Sequence, residues 1–512
     1  MKLSVEKAKT IGLVEVPALG LYDSDGRNWT PLFQDNPLLS KQILLADLQA
    51  GGFNAQLFNL NTGDYQEEFG QIDWGRMTLS KVYVGKRIFD LDPEACDAWG
   101  VTSNYLHHRQ IACILIKHLS SRGRPVVVGG SDVIASTQDY FQAGATAAVL
   151  DKSGAANLPV FDYVLGKTPR EKLTGVVFAD GSSYPRRNPS MHPQDWPLPS
   201  LEVVKQCLGT KYTADRFLED VLPMGSVFPD IGCDRKCDFC QTPKYGTGYR
   251  RMTPQRALEW LALQKEAGAR SSLMVSDQFL GRVLFPEGRE EVLEITLGAR
   301  EMGMPLLWYN GLELRKATLG RGLNYEDTDL TPDQELVEAL WGWDGKVGAI
   351  TAYIPAERPI NGKQGYSKLL PWQQHCTMMQ TIVRAGLPII VYGVIIGLPE
   401  DSHEHLLHLE QALQDLYQQL IAINPSLEFQ VAAYSITPIP GTGQWDYMAK
   451  SGLLRFDDPC IMGGFWTPSC DTHYLSYEEI ADWQARLAEI GKDTSKLNNH
   501  LTNTGVWKKE NN

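Results

Sequence analysis

The sequence predicts an α/β protein, and three observations carry that expectation. Two successive stretches alternate short β-rich runs with amphipathic helical ones, the pattern of parallel sheets flanked by helices. At their joint lies a third feature, three cysteines close together in Ile231-Gly232-Cys233-Asp234-Arg235-Lys236-Cys237-Asp238-Phe239-Cys240.

In the first stretch Ile11–Val16 reads as a strand and Leu39–Ala50 as a helix closed by Gly51-Gly52. Asn54–Leu60, Trp99–Ser103, Pro125–Gly130 and Ala147–Leu150 read as further strands, with a helix running to about Leu119. Such alternation implies a doubly wound parallel sheet, and ligands of that fold bind beyond the carboxyl ends of its strands near the switch point. The ends on offer are Thr102-Ser103-Asn104 and Gly129-Gly130-Ser131. Glycines there would let the backbone approach a bulky ligand, though a simple tight turn explains a Gly-Gly pair equally well. Leu173–Gly181 reads as a short hairpin leading into the proline-rich Asp195–Pro199.

The cysteine spacing is C-x3-C-x2-C, just after the strand-like run Ser226–Ile231. Thiolates are the ligands of iron–sulfur clusters, and a cubane normally takes four. Three with no evident fourth would leave one iron open to a non-protein ligand. The alternative is zinc, which wants four S or N ligands, and the nearest histidine, His192, lies far upstream.

Downstream, Thr253 before Pro254 is an N-cap with proline at the first helical position. Strand-like runs recur at Ser272–Ser276, Pro305–Tyr309, Val347–Tyr353, Pro388–Gly397 and Glu428–Tyr434. Polar residues stand at or beyond their carboxyl ends: Ser276-Asp277, Asn310, Glu357-Arg358, Gly397–Glu400 and Ser435–Pro438. Asp277 and Glu357 each read equally well as helix caps or surface carboxylates. Gly246-Thr247-Gly248 lacks the third glycine of a dinucleotide fingerprint. His403, His405 and His408 do not share one helical face and read as a solvated helix start. Cys460, Cys470 and an amphipathic helix through Ile490 fall in the C-terminal segment, where packing is the plain reading for both thiols.

The 512 residues predict two to four domains, with the 43 % apolar and 21 % charged content of an ordinary globular chain. A net charge of −13 argues against nucleic acid and against an acidic membrane surface. The nine cysteines are scattered outside the trio, so no disulfide framework is visible and a reducing, cytoplasmic setting is expected. The longest apolar run, Leu387–Leu398, is too short to span a bilayer and reads as a buried strand.

With its aromatic Phe239 and the continuation Arg250-Arg251-Met252-Thr253-Pro254, the cysteine stretch resembles the radical SAM enzymes. In that family the open iron of a [4Fe–4S] cluster chelates S-adenosylmethionine (SAM), and an electron from the cluster releases a 5′-deoxyadenosyl radical. Six β/α units match its partial barrel, in which polar side chains after the second and fourth strands hold SAM. The resemblance places Ser276, Asp277 and Glu357 there, with Phe239 beside the last cysteine. Roughly residues 8 to 200 resemble the cobalamin-binding domain found ahead of many such barrels, with Ser103, Asn104, Gly129, Gly130 and Ser131 as cofactor contacts. The D-x-H-x-x-G motif is absent, since Leu21–Gly26 holds no histidine, so the resemblance implies cobalt without histidine below it.

The implied fold is therefore a doubly wound, Rossmann-like cobalamin-binding domain with linker over 1–200, a partial (β/α)6 radical SAM barrel over 201–445, and a small α-rich closing segment with a polar tail over 446–512. The implied cofactors are the cluster on Cys233, Cys237 and Cys240, SAM and cobalamin. The implied function is methyl transfer from methylcobalamin to a carbon of a small molecule or peptide, with flavodoxin or ferredoxin as electron donor. Radical ring closure, rearrangement or hydration with the same cofactors stays open, as does a non-enzymatic iron–sulfur or cobalamin carrier.

Overall fold

The computed structural model describes residues 8–185, 191–211, 221–322, 328–360 and 368–491. The polar tail expected after about Lys492 lies outside them. No helix among the described residues is long and apolar enough to cross a membrane.

The first five predicted strands form one parallel sheet. They comprise Thr10–Glu15, Asn54–Asn59, Ala98–Thr102, Val126–Gly129 and Ala147–Val149. Taken in chain order their spatial order is 2-1-3-4-5, extended at one edge by the antiparallel hairpin Val176–Phe178 and Ser183–Tyr184. The chain leaves its first strand for one side of the sheet and returns for its third on the other. The switch point therefore falls between Glu15 and Thr102, and it opens a crevice at the carboxyl ends. Both faces of the inner strands are covered, which is why these read as largely apolar runs, whereas the edge strand Asn54–Asn59 is half exposed. Val126 and Val128 pack with helix Arg109–Ser120, whereas Val127 packs on the other side with helices Leu39–Ala50 and Asn157–Val164.

A three-stranded antiparallel sheet that the sequence reading did not anticipate joins this unit: Ala18–Tyr22, Met77–Gly85 and Tyr65–Trp74, in that spatial order. It docks the C-terminal segment. Trp74 donates through Nε1 to Pro468 O at 3.1 Å, and Lys81 pairs with Asp458 at 2.9 Å.

The second sheet holds six strands in sequence order, all parallel: Met224–Val227, Ser271–Met274, Leu306–Trp308, Ala349–Glu357, Ile389–Ile396 and Glu428–Ser435. Its first and last strands are not paired with each other, so the sheet stays open, and its strand order is the one expected of a partial barrel. Thr253 accepts from Arg256 N as the predicted N-cap. A buried amide network crosses between the two units: Gln42 Oε1 accepts from Trp260 Nε1 at 3.0 Å and from Gln264 Nε2 at 2.8 Å. The C-terminal helix Tyr477–Ala488, closed at its start by a Ser476–Glu479 capping box, lies across the last barrel strand. There Gln484 donates to Ala433 O at 2.8 Å. Cys460 and Cys470 are buried in apolar packing, and His403, His405 and His408 lie on the exposed start of helix His403–Ile423.

Asp230–Ile231 and Arg250–Arg251 form a short antiparallel ladder that closes the base of the cysteine loop. Arg282, fully buried, holds both arms of that base: it donates to Pro229 O at 2.9 Å and Met252 O at 2.8 Å, and pairs with Glu291 at 3.1 Å. An Arg282→Met variant leaves Asp230 and Glu291 without this cation, a loss of about 3–5 kcal/mol by analogy with broken buried pairs. Urea unfolding of the variant should show it, and an unchanged midpoint and slope would contradict the strut.

Candidate active site

The three thiols sit on one loop, half-buried, none in a disulfide. Gly232 opens that loop at φ +80°, where a Cβ would meet Gly248 O at 1.8 Å, so only glycine lets the two arms come this close. Its amide donates to Asp277 Oδ2 at 2.7 Å, which ties the loop to the residue following the second barrel strand. The Arg235 amide points at Cys233 Sγ at 3.4 Å. Burial pushes the Cys233 thiol up, and pushes Cys237 up to about 11 against the opposing Lys368 charge. Among the described residues, no three His, Cys, Asp or Glu side chains converge as ligands of one ion.

Above the loop, at the carboxyl ends of the barrel strands, lies a cavity of ≈410 Å³. Phe239, Asp277, Glu357 and Lys368 line it, as do Tyr353, Tyr434 and Phe465. Glu357 ends the fourth strand at φ +52°, buried and paired with Lys368. Its Oε2 is buried with no hydrogen-bond partner among the described residues. Burial pushes this carboxyl above its ordinary range despite the lysine, and likewise raises Asp277. An orphaned carboxylate oxygen in a cavity wall is a strong site for an ammonium or hydroxyl donor.

A larger cavity of ≈760 Å³ fills the crevice at the switch point of the first sheet. Its floor runs along the sheet between Leu13, Gly100, Val127 and Val149 and is roofed by Val160 and Phe161, an apolar slot between strands and helix. Asn104, Gly129, Gly130, Ser131, His107 and His108 stand around it. A Cβ at Gly129 would touch only Val149 Cβ, at 3.7 Å, so the space over this glycine is open. Gly130 differs. At φ +119° its Cβ would meet Ser103 O at 2.2 Å, so its glycine serves the tight turn. Burial pushes His108 down to about 4 and His107 well below its ordinary range, which leaves both imidazoles neutral. The two cavities share Asp277, Asn310, Tyr353, Tyr434 and Phe465.

Of the residues singled out from sequence, Phe239, Asp277 and Glu357 come together on the smaller cavity and Asn104, Gly129, Gly130 and Ser131 on the larger. Two lie one layer back. Ser103 is buried, its hydroxyl accepting from Tyr140 OH at 2.8 Å, and Ser276 gives its hydroxyl to Asp230 and accepts from Gln278 N at 3.1 Å. Both hydroxyls are committed to the frame rather than to a cavity wall. Sequence reasoning missed Lys368, Tyr434, Phe465 and the His107-His108 pair. Only the histidine pair carried a visible signal, lying just past a strand end already marked as a ligand site.

No family model matches the sequence, and no curated protein matches it. Solved structures share its fold. OxsB, a cobalamin-dependent S-adenosylmethionine radical enzyme whose structure contains aqua-cobalamin and S-adenosylmethionine, superposes with a TM-score of 0.64 at 13 % identity, over 94 % of this chain and 66 %, less than two thirds, of its own. TsrM from Kitasatospora setae, a radical S-adenosylmethionine methyltransferase, superposes in its cobalamin- and [4Fe–4S]-bound structure with a TM-score of 0.58 at 12 % identity, over 94 % of this chain and 91 % of its own. Its complex with tryptophan substrate and the SAM analogue aza-SAM gives 0.59 at 11 % identity, over 98 % and 96 %. At such identities the likeness is one of fold.

The raised thiols make a measurable statement in the metal-free chain. Because thiolate is the reactive form, alkylation of Cys237 by iodoacetamide should be slow at neutral pH and rise about tenfold per pH unit towards pH 10. Peptide mass spectrometry reads it. A rapid, pH-independent reaction would place Cys237 in a thiolate-stabilising site instead.

Proposed function

We propose that this chain is a cobalamin-dependent radical SAM enzyme that transfers a methyl group to a carbon of a small-molecule or peptide substrate. The observation that carries the reading is the meeting of two cavities, one beside the three-thiol loop and the other at the switch point of the first sheet. The residues present fit the three groups. Cys233, Cys237 and Cys240 supply three thiolates to a [4Fe–4S] cluster and leave one iron for SAM. Glu357, with its free oxygen, suits the SAM amine, and Asp277 a second polar group of the same ligand. The apolar slot under Gly129 suits the flat base of a cobalamin tail, and the crevice above it the corrin.

Reductive cleavage of SAM and methyl transfer by way of cobalamin are the chemistry these groups supply when bound. The protein's part is to bind, orient and exclude water. In this reading residues 1–200 hold cobalamin, 201–445 form the SAM-cleaving barrel, and 446–512 close the chamber, where Phe465 already stands on both cavities. Tyr353 and Tyr434 bring neutral phenols to the junction; burial pushes Tyr434 up to about 12. That junction is the substrate position between the two cofactors. A flavodoxin or ferredoxin would supply electrons in a reducing, cytoplasmic setting. The methyltransferase reading rather than ring closure or rearrangement draws on the fold shared with TsrM over nearly the whole of both chains, and two joined chambers would be superfluous in a carrier.

Anaerobic incubation with SAM, cobalamin and a reductant should give both 5′-deoxyadenosine and S-adenosylhomocysteine. 5′-Deoxyadenosine without S-adenosylhomocysteine would favour the non-methylating chemistry, and neither product would favour a carrier. Replacing all three cysteines by alanine should abolish cluster binding and 5′-deoxyadenosine formation. Glu357→Ala should keep both cofactors yet need roughly tenfold or more SAM for the same rate, the cost of about 1–3 kcal/mol for an unpaired donor; unchanged SAM dependence would remove Glu357 from the site.

Gly129→Leu fills open space and should abolish cobalamin binding without unfolding the chain, as read by cobalamin absorbance after gel filtration; full retention would contradict the slot. Electron paramagnetic resonance of the cob(II)alamin form should lack nitrogen splitting. A clear nitrogen triplet would instead mean a nitrogen ligand on cobalt, from the cofactor's own base or from a histidine such as His108, which lines the larger cavity.

A further inference from the structure

Between the first two cysteines stand Asp234 and Arg235, and both are gripped from the segment that follows the third barrel strand. Arg235 makes a bidentate pair with Glu313, its Nε at 3.1 Å from Oε2. Lys316 Nζ lies 2.5 Å from Asp234 Oδ1 and 3.2 Å from Glu313 Oε2. Gln278 Nε2 donates to the same Glu313 oxygen at 2.9 Å. Lys316 is 0 % exposed and the Glu313 side chain 2 %, so the inner half of this quartet is out of water. The charges of Asp234, Lys316 and Arg235 all reach the Cys233 sulfur. Two carboxylates and two cations make the quartet neutral as a whole.

We propose that the Asp234–Arg235–Glu313–Lys316 quartet is a positioning device that holds the cysteine loop open for its cluster and, by its balanced charge, sets the potential at which that cluster accepts an electron. This rests on the cluster reading above. The quartet does not line the smaller cavity through Arg235, Asp234 or Lys316, and only Glu313 touches that wall. Lys316, Asp234 and Arg235 can therefore be tested apart from SAM binding, and the potential is read without SAM. Buried charges interact strongly because the surroundings screen them little. Removing one member leaves a net charge beside Cys233. Reduction adds an electron to the cluster, so an added negative charge opposes it and an added positive charge favours it.

The test uses the full chain with its reconstituted cluster, and its readout is the cluster midpoint potential, taken by redox titration followed by electron paramagnetic resonance. Lys316→Gln leaves the quartet at −1 and should shift the potential negative. Glu313→Gln leaves it at +1 and should shift it positive. The double variant Lys316→Gln/Glu313→Gln is neutral again and should return close to the native potential, while Lys316→Arg should hold it throughout. Both single variants should lose iron to a chelator faster than the native chain, since each breaks a buried pair. Potentials that do not move, or that move the same way in both single variants, would overturn the inference while leaving the cluster reading intact. Should a variant retain no cluster, Lys316→Arg and the double variant carry the comparison: a cluster as labile in Lys316→Arg as in Lys316→Gln would also overturn it. A native chain that assembles no [4Fe–4S] cluster would instead remove the reading on which it rests.

Discussion

Everything in this molecule depends on holding a polar, three-cysteine loop at the carboxyl ends of the second sheet with the chain's own contacts. The chain does this by closing the loop at its base as well as by gripping Asp234 and Arg235 between the cysteines. The ladder of Asp230–Ile231 against Arg250–Arg251 brings the arms together, and the absence of a side chain at Gly232 lets Gly248 O approach. Arg282 then satisfies the carbonyls on either side of that base from within the core. The cysteines project from a base whose flanking carbonyls are already paired, a step towards a preorganised site.

The second constraint is mutual. A parallel sheet offers ligands only its carboxyl edge, and this chain has two such sheets. The crevice of one and the mouth of the other meet around Asp277, Asn310, Tyr353, Tyr434 and Phe465. The C-terminal segment joins the arrangement from both sides: Ile461 and Trp466 pack in the core of the first unit, and Trp483 and Leu487 in that of the barrel. Each unit alone would present an open crevice; together with that segment they make a chamber.

Much of this was legible in the sequence because it rests on local patterns. Buried parallel strands are short apolar runs, and eleven runs were placed that way. The Thr253 N-cap and the helix closed by Gly51-Gly52 are equally local. The antiparallel sheet was not legible, since Tyr65–Trp74 is a largely exposed strand of polar and charged residues that carries no apolar stripe. The site was legible where a polar residue stands at or just beyond the carboxyl end of a strand, as with Asp277 and Glu357. It was not where the decision lay in tertiary contacts: Ser103 and Ser276 stand at strand ends, but Tyr140 and Asp230 claim their hydroxyls. Gly129 and Gly130 look identical in sequence and both line the larger cavity, and only the nearness of Ser103 O shows that Gly130 is also required by its turn. Lys368 reaches the cavity from a loop whose place no local pattern announces.

The central claim is the proposed one, that Cys233, Cys237 and Cys240 would hold a [4Fe–4S] cluster with one iron left for SAM, and that Glu357 would take the SAM amine. The most direct measurement is the electron paramagnetic resonance spectrum of the reduced, reconstituted protein before and after SAM is added. The account predicts one [4Fe–4S] signal per chain whose g-values shift when SAM binds, because the ligand joins the cluster itself. A reduced [4Fe–4S] cluster whose spectrum is the same with and without saturating SAM would contradict it.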